Sequence, residues 1–212
     1  VRPDGSDLEI YSYHTRNICD IAISPKLDLF TRDNTNDGKG WNIRVHHLTN
    51  GSEHGYPRLY KNFTDEAVKP ILDLGGGSGT GALYLAEPGH DELLLTCDWT
   101  TGKIYNDKVS EKGASYSLKE SVYMNLPRAI DIDVDGSGNL FVCDWRGGRF
   151  KFAGKGKKVG MVQKLTKNGL EGQPFPELRG MSTSELVLQL KSSSAVRRLE
   201  VQRVLLAKAE TG

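Results

Sequence analysis

Two arginines and one oxygen-rich loop are the residues of this chain whose types and spacing best suit chemistry. Arg16 stands four positions before Asp20, and Arg128 stands three positions before Asp131. A guanidinium keeps its charge and offers forked donors, which suits an anionic or carbonyl-rich ligand. Asp33, Asn34 and Thr35 open the stretch DNTNDGKGW, whose carboxylate and carbonyl oxygens suit a hard cation such as Ca²⁺. The plainer alternative is that the arginines tie neighbouring elements together through backbone carbonyls.

The elements that must hold these groups repeat. Asp131 to Trp145 reads DIDVDGSGNLFVCDW, two short apolar runs about an Asp-Gly turn. Asp20 to Asn34, DIAISPKLDLFTRDN, matches it at an offset of 111 positions, with Ile21, Ile23, Leu29, Phe30 and Asp33 under Ile132, Val134, Leu140, Phe141 and Asp144. A weaker third copy pairs ALYL (Ala82 to Leu85) with LLLTCDW (Leu93 to Trp99). Apolar alternation on both sides of a turn predicts a strand–turn–strand unit. The closing aspartates Asp33, Asp98 and Asp144 lie 65 and then 46 residues apart, near the period of propeller blades. The expected fold is all-β, part of a β-propeller, over residues 1–171. Equivalent positions of successive blades meet at one end of a central channel, which is where Arg16 and Arg128 are expected.

Composition narrows the class. With 24 glycines in 212 residues and several Asn-Gly or Asp-Gly pairs, tight turns between strands are favoured. A formal charge of +1 gives no reason to expect nucleic acid or an anionic membrane as partner. No apolar run is long enough for a transmembrane helix. Cys19, Cys97 and Cys143 read as free thiols buried in strands, and no C-x-x-C pair offers a zinc or haem attachment site. Because Val1 stands first, the true start of the protein is expected upstream.

At Gly172 the pattern changes. GQPFPEL forms a linker over residues 172–180, and residues 181–212 read as helices. Ser182-Thr183-Ser184-Glu185 is a capping box, and AVRRLEVQRVLLAKA (Ala195 to Ala209) is apolar on more than one side. This predicts a HEAT-type hairpin opening a solenoid, with a helical cap on the propeller as the alternative.

Several motifs compete for attention. ILDLGGGSGTGALYLAE (Ile71 to Glu87) resembles the first motif of Rossmann methyltransferases, with Asp98 placed to hold a ribose. Pro88-Gly89 leaves room for only about two helical turns after it. DVDGSGNLFVCD (Asp133 to Asp144) follows much of an EF-hand loop, but Pro127 and the flanking strands favour a plain hairpin. His46 and His47, adjacent on a strand, point to opposite faces and cannot easily share an ion. The Lys155 to Lys158 run reads as a solvated hairpin loop. Asn50-Gly51-Ser52 and Asn62-Phe63-Thr64 are glycosylation sequons that matter only in a eukaryotic secretory setting.

The segment RNICDIAISPKLDLFTRDNTNDGKGWNIRVHH…GSEHGYP (Arg16 to Pro57) resembles the soluble glucose/sorbosone dehydrogenases. GGGSGTGALYL, LLTCDW, DVDGSGNLFVCDWRGG and VRRLEVQRVLL extend the likeness to the large membrane-bound-dehydrogenase-like proteins of planctomycetes and verrucomicrobia. The resemblance implies a six-bladed propeller, HEAT-like repeats and, downstream of this chain, a c-type haem domain. It implies oxidation of sugars or other alcohols with pyrroloquinoline quinone (PQQ) and Ca²⁺, in a periplasmic or membrane-associated exported protein. By the same resemblance Arg16 would touch quinone and substrate, Arg128 would contact the quinone, and the backbone carbonyls of Asn34 and Thr35, in the Asp33 stretch, would hold Ca²⁺. The family's general-base histidine would lie upstream, and its role is not carried over to His14. Two departures stand out: Ile130 occupies the place of a second arginine, and no lysine lies near Asp98-Trp99. They favour, as the second expectation, an inactive platform that binds glycans or protein partners.

Overall fold

The computed structural model describes residues 1–2, 4–35, 37–146, 159–166 and 172–210. The Lys155 to Lys158 run lies outside the described residues. In chain order the strands are β1 (Ser12–Tyr13), β2 (Ala22–Ile23), β3 (Leu29–Asp33), β4 (Ile43–Leu48), β5 (Ser52–Glu53), β6 (Leu72–Gly75) and β7 (Gly79–Leu85). They continue as β8 (Leu93–Asp98), β9 (Lys103–Lys112), β10 (Ser115–Asn125), β11 (Ala129–Val134), β12 (Leu140–Trp145) and β13 (Gly160–Leu165). The helices are α1 (Leu59–Asn62), α2 (Thr183–Gln189) and α3 (Ala195–Glu210).

Three antiparallel sheets follow one another: β2-β3-β4-β6, then β7-β8-β9-β10, then β11-β12-β13, with β1 and β5 as a separate parallel pair. None of them closes on itself among the described residues. The repeat holds at the level of register. Ala22 faces Phe30 and Ile23 faces Leu29; at the same offset of 111, Asp133 faces Phe141 and Val134 faces Leu140.

Alternation within β8 explains how the sheets stack. Leu94 joins Ala22, Phe30, Val45 and Ala82 between the first and second sheets. Its neighbours Leu95 and Cys97 turn the other way, to Leu85, Ile104, Ala129, Ile132, Leu140 and Val142 between the second and third. A strand buried on both faces shows no side to solvent, so LLL reads as a continuous apolar run, and Thr96 and Asp98 after it are buried as well. The outer faces differ. Ile21 and Ile23 are 41% and 56% exposed, whereas Ile132, at the matching position of the third sheet, is buried.

The closing aspartates are caps. Asp33 accepts the backbone N–H groups of Arg16 (3.0 Å) and Asn17 (2.9 Å), and Asp98 accepts those of Ser78 (3.1 Å) and Thr101 (2.9 Å). Asp144 accepts that of Met161 at 3.2 Å. Asp33 and Asp98 thus each fasten a loop to the end of the strand they terminate, whereas Asp144 binds the neighbouring strand β13.

The glycine-rich stretch has a different purpose from a cofactor loop. A Rossmann motif requires a helix after its glycines, but residues 79–85 are strand β7, so the methyltransferase reading is incorrect. The glycines allow neighbouring sheets to touch. A Cβ on Gly79 would lie 2.2 Å from the Arg32 carbonyl oxygen, and one on Gly81 would lie 2.3 Å from Asp131 Oδ1. Gly79→Ala should therefore push the first two sheets apart and cost about 3 kcal/mol, read as a fall in the urea midpoint. The EF-hand-like segment is a hairpin, as expected: Asp135 Oδ1 accepts the amides of Ser137 (2.9 Å) and Asn139 (2.8 Å), closing the turn between β11 and β12.

Cys97 is buried, as anticipated, while Cys143 is half-buried and Cys19 is exposed. The difference at Cys19 arises because it lies in the loop before β2 rather than within a strand. At the other end of the chain the capping box forms: Ser182 Oγ accepts the Glu185 amide (3.3 Å) and Glu185 accepts the Ser182 amide (2.7 Å). Leu178, Leu186 and Val201 form the core of the helical pair. The pair is docked against the sheets. Arg197 Nε donates to the Gly136 carbonyl (2.7 Å) in the β11–β12 turn, and Glu87 accepts the Val196 amide (3.0 Å) at the start of α3.

Candidate functional site

Arg16 enters the site from the loop that Asp33 caps. Its backbone is pinned to the Asp33 carboxylate, so its side chain leaves from a fixed point. The guanidinium donates through Nη1 to the Asn34 carbonyl (3.1 Å) and pairs through Nη2 with Asp37 (2.6 Å). Tyr56 OH donates to the other Asp37 oxygen at 2.8 Å. The hydrogen bond to Asp37 raises the Arg16 pKa, and the Tyr56 hydroxyl is the largest influence lowering that of Asp37. Arg16, Asp37 and Tyr56 therefore form a charged chain, with the Arg16 side chain 29% exposed.

Beside it lies a cleft of about 190 Å³ lined by His14, Glu53, Gly55, Tyr56, Pro57 and Arg58. His14 has a left-handed backbone (φ 53°), and its Nδ1 is in hydrogen-bond contact with Glu53 Oε2. Glu53 Oε1 accepts the Gly55 amide at 2.7 Å, so the carboxylate is held from both sides.

Arg128 lies at the same end, where the loop before β11 meets the end of β12; its carbonyl accepts the Trp145 amide at 3.1 Å. It too is left-handed (φ 52°), an uncommon state for a side-chain-bearing residue that marks a position fixed by its surroundings. Its guanidinium lies 5.2 Å from the centre of the Trp99 ring, in the turn after β8. Register separates the two arginines by one place. The Asn34 amide reaches Asn17 and the Trp145 amide reaches Arg128, so Arg128 is the counterpart of Asn17, and Pro127 is the counterpart of Arg16. The two share an end of the sheets, but each is held by its own local partners.

Asp33, Asn34 and Thr35 are grouped at the end of β3, but their oxygens are already engaged. Both Asp33 oxygens accept backbone amides, and burial pushes its pKa up. The Asn34 carbonyl faces the Arg16 cation, and the Thr35 carbonyl accepts the Asp37 amide at 2.9 Å. Thr35 Oγ1 donates to the Asn42 carbonyl. A bound Ca²⁺ would have to displace a guanidinium, so this arrangement does not fit the ion, and no chemical step below uses it. Arg128 stacked on Trp99 joins a cation to an aromatic face, which suits a planar anion, while the Arg16 fork is divided between Asp37 and the Asn34 carbonyl.

His46 and His47 do point to opposite faces. His47 stacks on Phe30 (5.5 Å), while His46 meets His54 at 4.4 Å on the other side. Burial lowers the pKa of His46 to about 3 and that of His54 to about 4, so both are neutral. His46 lies 4.0 Å from Asp33 and forms no ion pair with it at neutral pH. Among the described residues, no cluster of three or more His, Cys, Asp or Glu side chains is arranged to hold a metal. Sequence reasoning missed Asp37, Tyr56 and the His14–Glu53 pair. The signals were indirect: Asp37 lies within the DNTNDGKGW stretch, and Gly55-Tyr56-Pro57 closes the segment that carried the resemblance.

No family model and no curated protein matches this chain. Solved structures do. An oxidoreductase (glucose dehydrogenase) of Thermus thermophilus superposes with a TM-score of 0.59 at 18% identity, covering 73% of this chain and 47% of that one. The PQQ-bound aldose sugar dehydrogenase of Streptomyces coelicolor superposes with a TM-score of 0.54 at 16% identity, over 73% and 46%. The chain thus spans less than half the length of either structure. At these identities the likeness is one of fold alone.

Proposed function

We propose that the three sheets are consecutive blades of a six-bladed β-propeller and that the protein oxidises sugars or related alcohols with PQQ. The observation that carries this reading is the shared fold with a PQQ-bound sugar dehydrogenase. The exposed Ile21 and Ile23 face adds support, because its counterpart on the third sheet is covered by a neighbouring sheet. Residues 1–171 would form this propeller part, 172–180 its linker, and 181–212 the first HEAT-like repeat. Electrons would pass to a c-type haem domain of the same longer protein, exported to the periplasm or held at the membrane.

PQQ would supply the carbonyl carbon that accepts hydride from the substrate. The chain's own residues would bind and orient. Arg16 offers donors to developing negative charge, and Asp37 and Tyr56 hold it in place, so little reorganisation is needed. Arg128 and Trp99 offer a second fork and an aromatic face to a planar anion. Mixing the protein with PQQ and following dye reduction across a sugar and alcohol panel tests the reading. Turnover with at least one substrate is expected; silence across the panel would contradict it.

A second reading is a catalytically inactive platform for glycans or partner proteins. It is favoured by the engagement of Arg16 with Asp37 and Asn34, and by Ile130 in the place of a second arginine. Glycan binding without turnover is its expected signature.

A further inference from the structure

The seam between the first and second sheets holds a buried polar cluster that the proposed site does not use. Arg32, on β3, is only 3% exposed and reaches across to the second sheet. Its guanidinium pairs with Glu120 on β10 (2.6 Å), lies 3.4 Å from Asp98 on β8, donates to Thr96 (3.3 Å) and sits 4.5 Å from the centre of the Tyr105 ring on β9. Asp107, also on β9, is sealed from solvent between these groups. Among the described residues neither of its carboxyl oxygens has a hydrogen-bond partner, and its register partner on β10 is Glu120.

Charge counting makes this arrangement unstable with every carboxyl ionised. Three carboxyl groups, on Asp98, Asp107 and Glu120, share one guanidinium. Like charges directly opposite one another in a sheet repel. A buried carboxylate without a donor is costlier still, and such a group is neutralised rather than kept charged. Arg32 divides its two Nη groups between Asp98 and Glu120, and its buried Nε, itself without a partner among the described residues, does not pair with Asp107. A proton is the smallest partner that resolves the conflict. Burial is the largest cause pushing the Asp107 pKa up to about 7, Glu120 adds to it and Arg32 opposes it.

We propose that Asp107 is protonated in the folded protein on the acid side of neutrality, and that its ionisation is a pH-sensitive switch in this seam. On losing the proton, Asp107 competes with Asp98 for Arg32. Both ends of that bridge lead to the candidate site. Arg32 precedes Asp33, the cap that fixes Arg16, and Asp98 precedes Trp99, on which Arg128 stacks. The seam titrates in this way whether or not the protein oxidises sugars.

Linkage sets the sign. A carboxyl whose folded pKa lies above its unfolded value stabilises the fold at acid pH, and that stability is lost as pH rises through the window between the two. For Asp107 the window runs from about 3.8 to about 7. Asp107→Asn keeps the shape and removes the titration. The difference in Tm, variant minus wild type, is expected to grow as pH rises to about 7 and to level off above it. In wild-type protein carrying ¹³C-labelled aspartate, one carboxyl resonance should titrate near neutrality. It should vanish in Asp107→Asn and move to lower pH in Glu120→Gln, which removes the opposing charge. A Tm difference that is the same at every pH, or no aspartate titrating near neutrality in the wild type, overturns the proposal. The resonance decides the question even if Asp107→Asn fails to fold.

Discussion

Replacing Arg32 by methionine is expected to cost about 3–5 kcal/mol of stability, the range for removing one partner of a buried charge pair. Among the described residues this side chain is the cation set between Asp98, Asp107 and Glu120, and two of those carboxyl groups contact it directly. Methionine fills much of the volume but leaves the fully buried Asp98 and the mostly buried Glu120 without their cation. The loss should be larger at pH 8 than at pH 5, because at pH 5 Asp107 is already neutral. Urea unfolding of Arg32→Met at the two pH values checks both the size and the direction. A loss below about 1 kcal/mol would place the pair among ordinary surface bridges.

Replacing Arg16 by alanine is expected to lower turnover by about 10²–10³-fold, the range for removing one preorganised donor to a developing oxyanion. The fold should survive, because the bond from Arg16 to Asp33 is made by the backbone N–H and remains in the variant. What disappears is the guanidinium and its contacts with Asp37 and the Asn34 carbonyl. Arg16→Lys should restore only part of the activity, since a lysine offers charge without the fork. Steady-state rates with an unchanged circular dichroism spectrum check this. Loss of rate together with loss of fold would assign Arg16 a structural role.

What the sequence made legible was local. The repeat between Asp20–Asn34 and Asp131–Trp145 could be aligned by eye, and the two residue pairs of β2 and β3 recur in β11 and β12. The Ser182 capping box depends on residues three positions apart and forms as expected. The Asp135 turn is equally local. Contacts between distant segments were not legible. Gly79 and Gly81 look like a cofactor loop until Arg32 and Asp131, distant in sequence, are seen pressing against them. Arg32 and Asp107 look like ordinary charged strand residues, because periodicity reports which face a side chain takes and not what stands opposite. Arg16 was singled out for the right residue type, but its partners Asp37 and Tyr56 come from loops whose paths no pattern fixes. The offset of 111 already sets Arg128 one position beyond the counterpart of Arg16, and the bonds from the strand ends to Asn17 and Arg128 keep that shift.

Equilibrium titration of PQQ into the protein, followed by quenching of tryptophan emission, tests the central claim most directly. The account predicts saturable quenching, because Trp99 lies under Arg128 at the proposed quinone surface. It also predicts at least a tenfold weaker affinity in an Arg16→Ala, Arg128→Ala double variant, about 1.4 kcal/mol or more. No saturable binding by the wild type, or equal binding by the double variant, would contradict it.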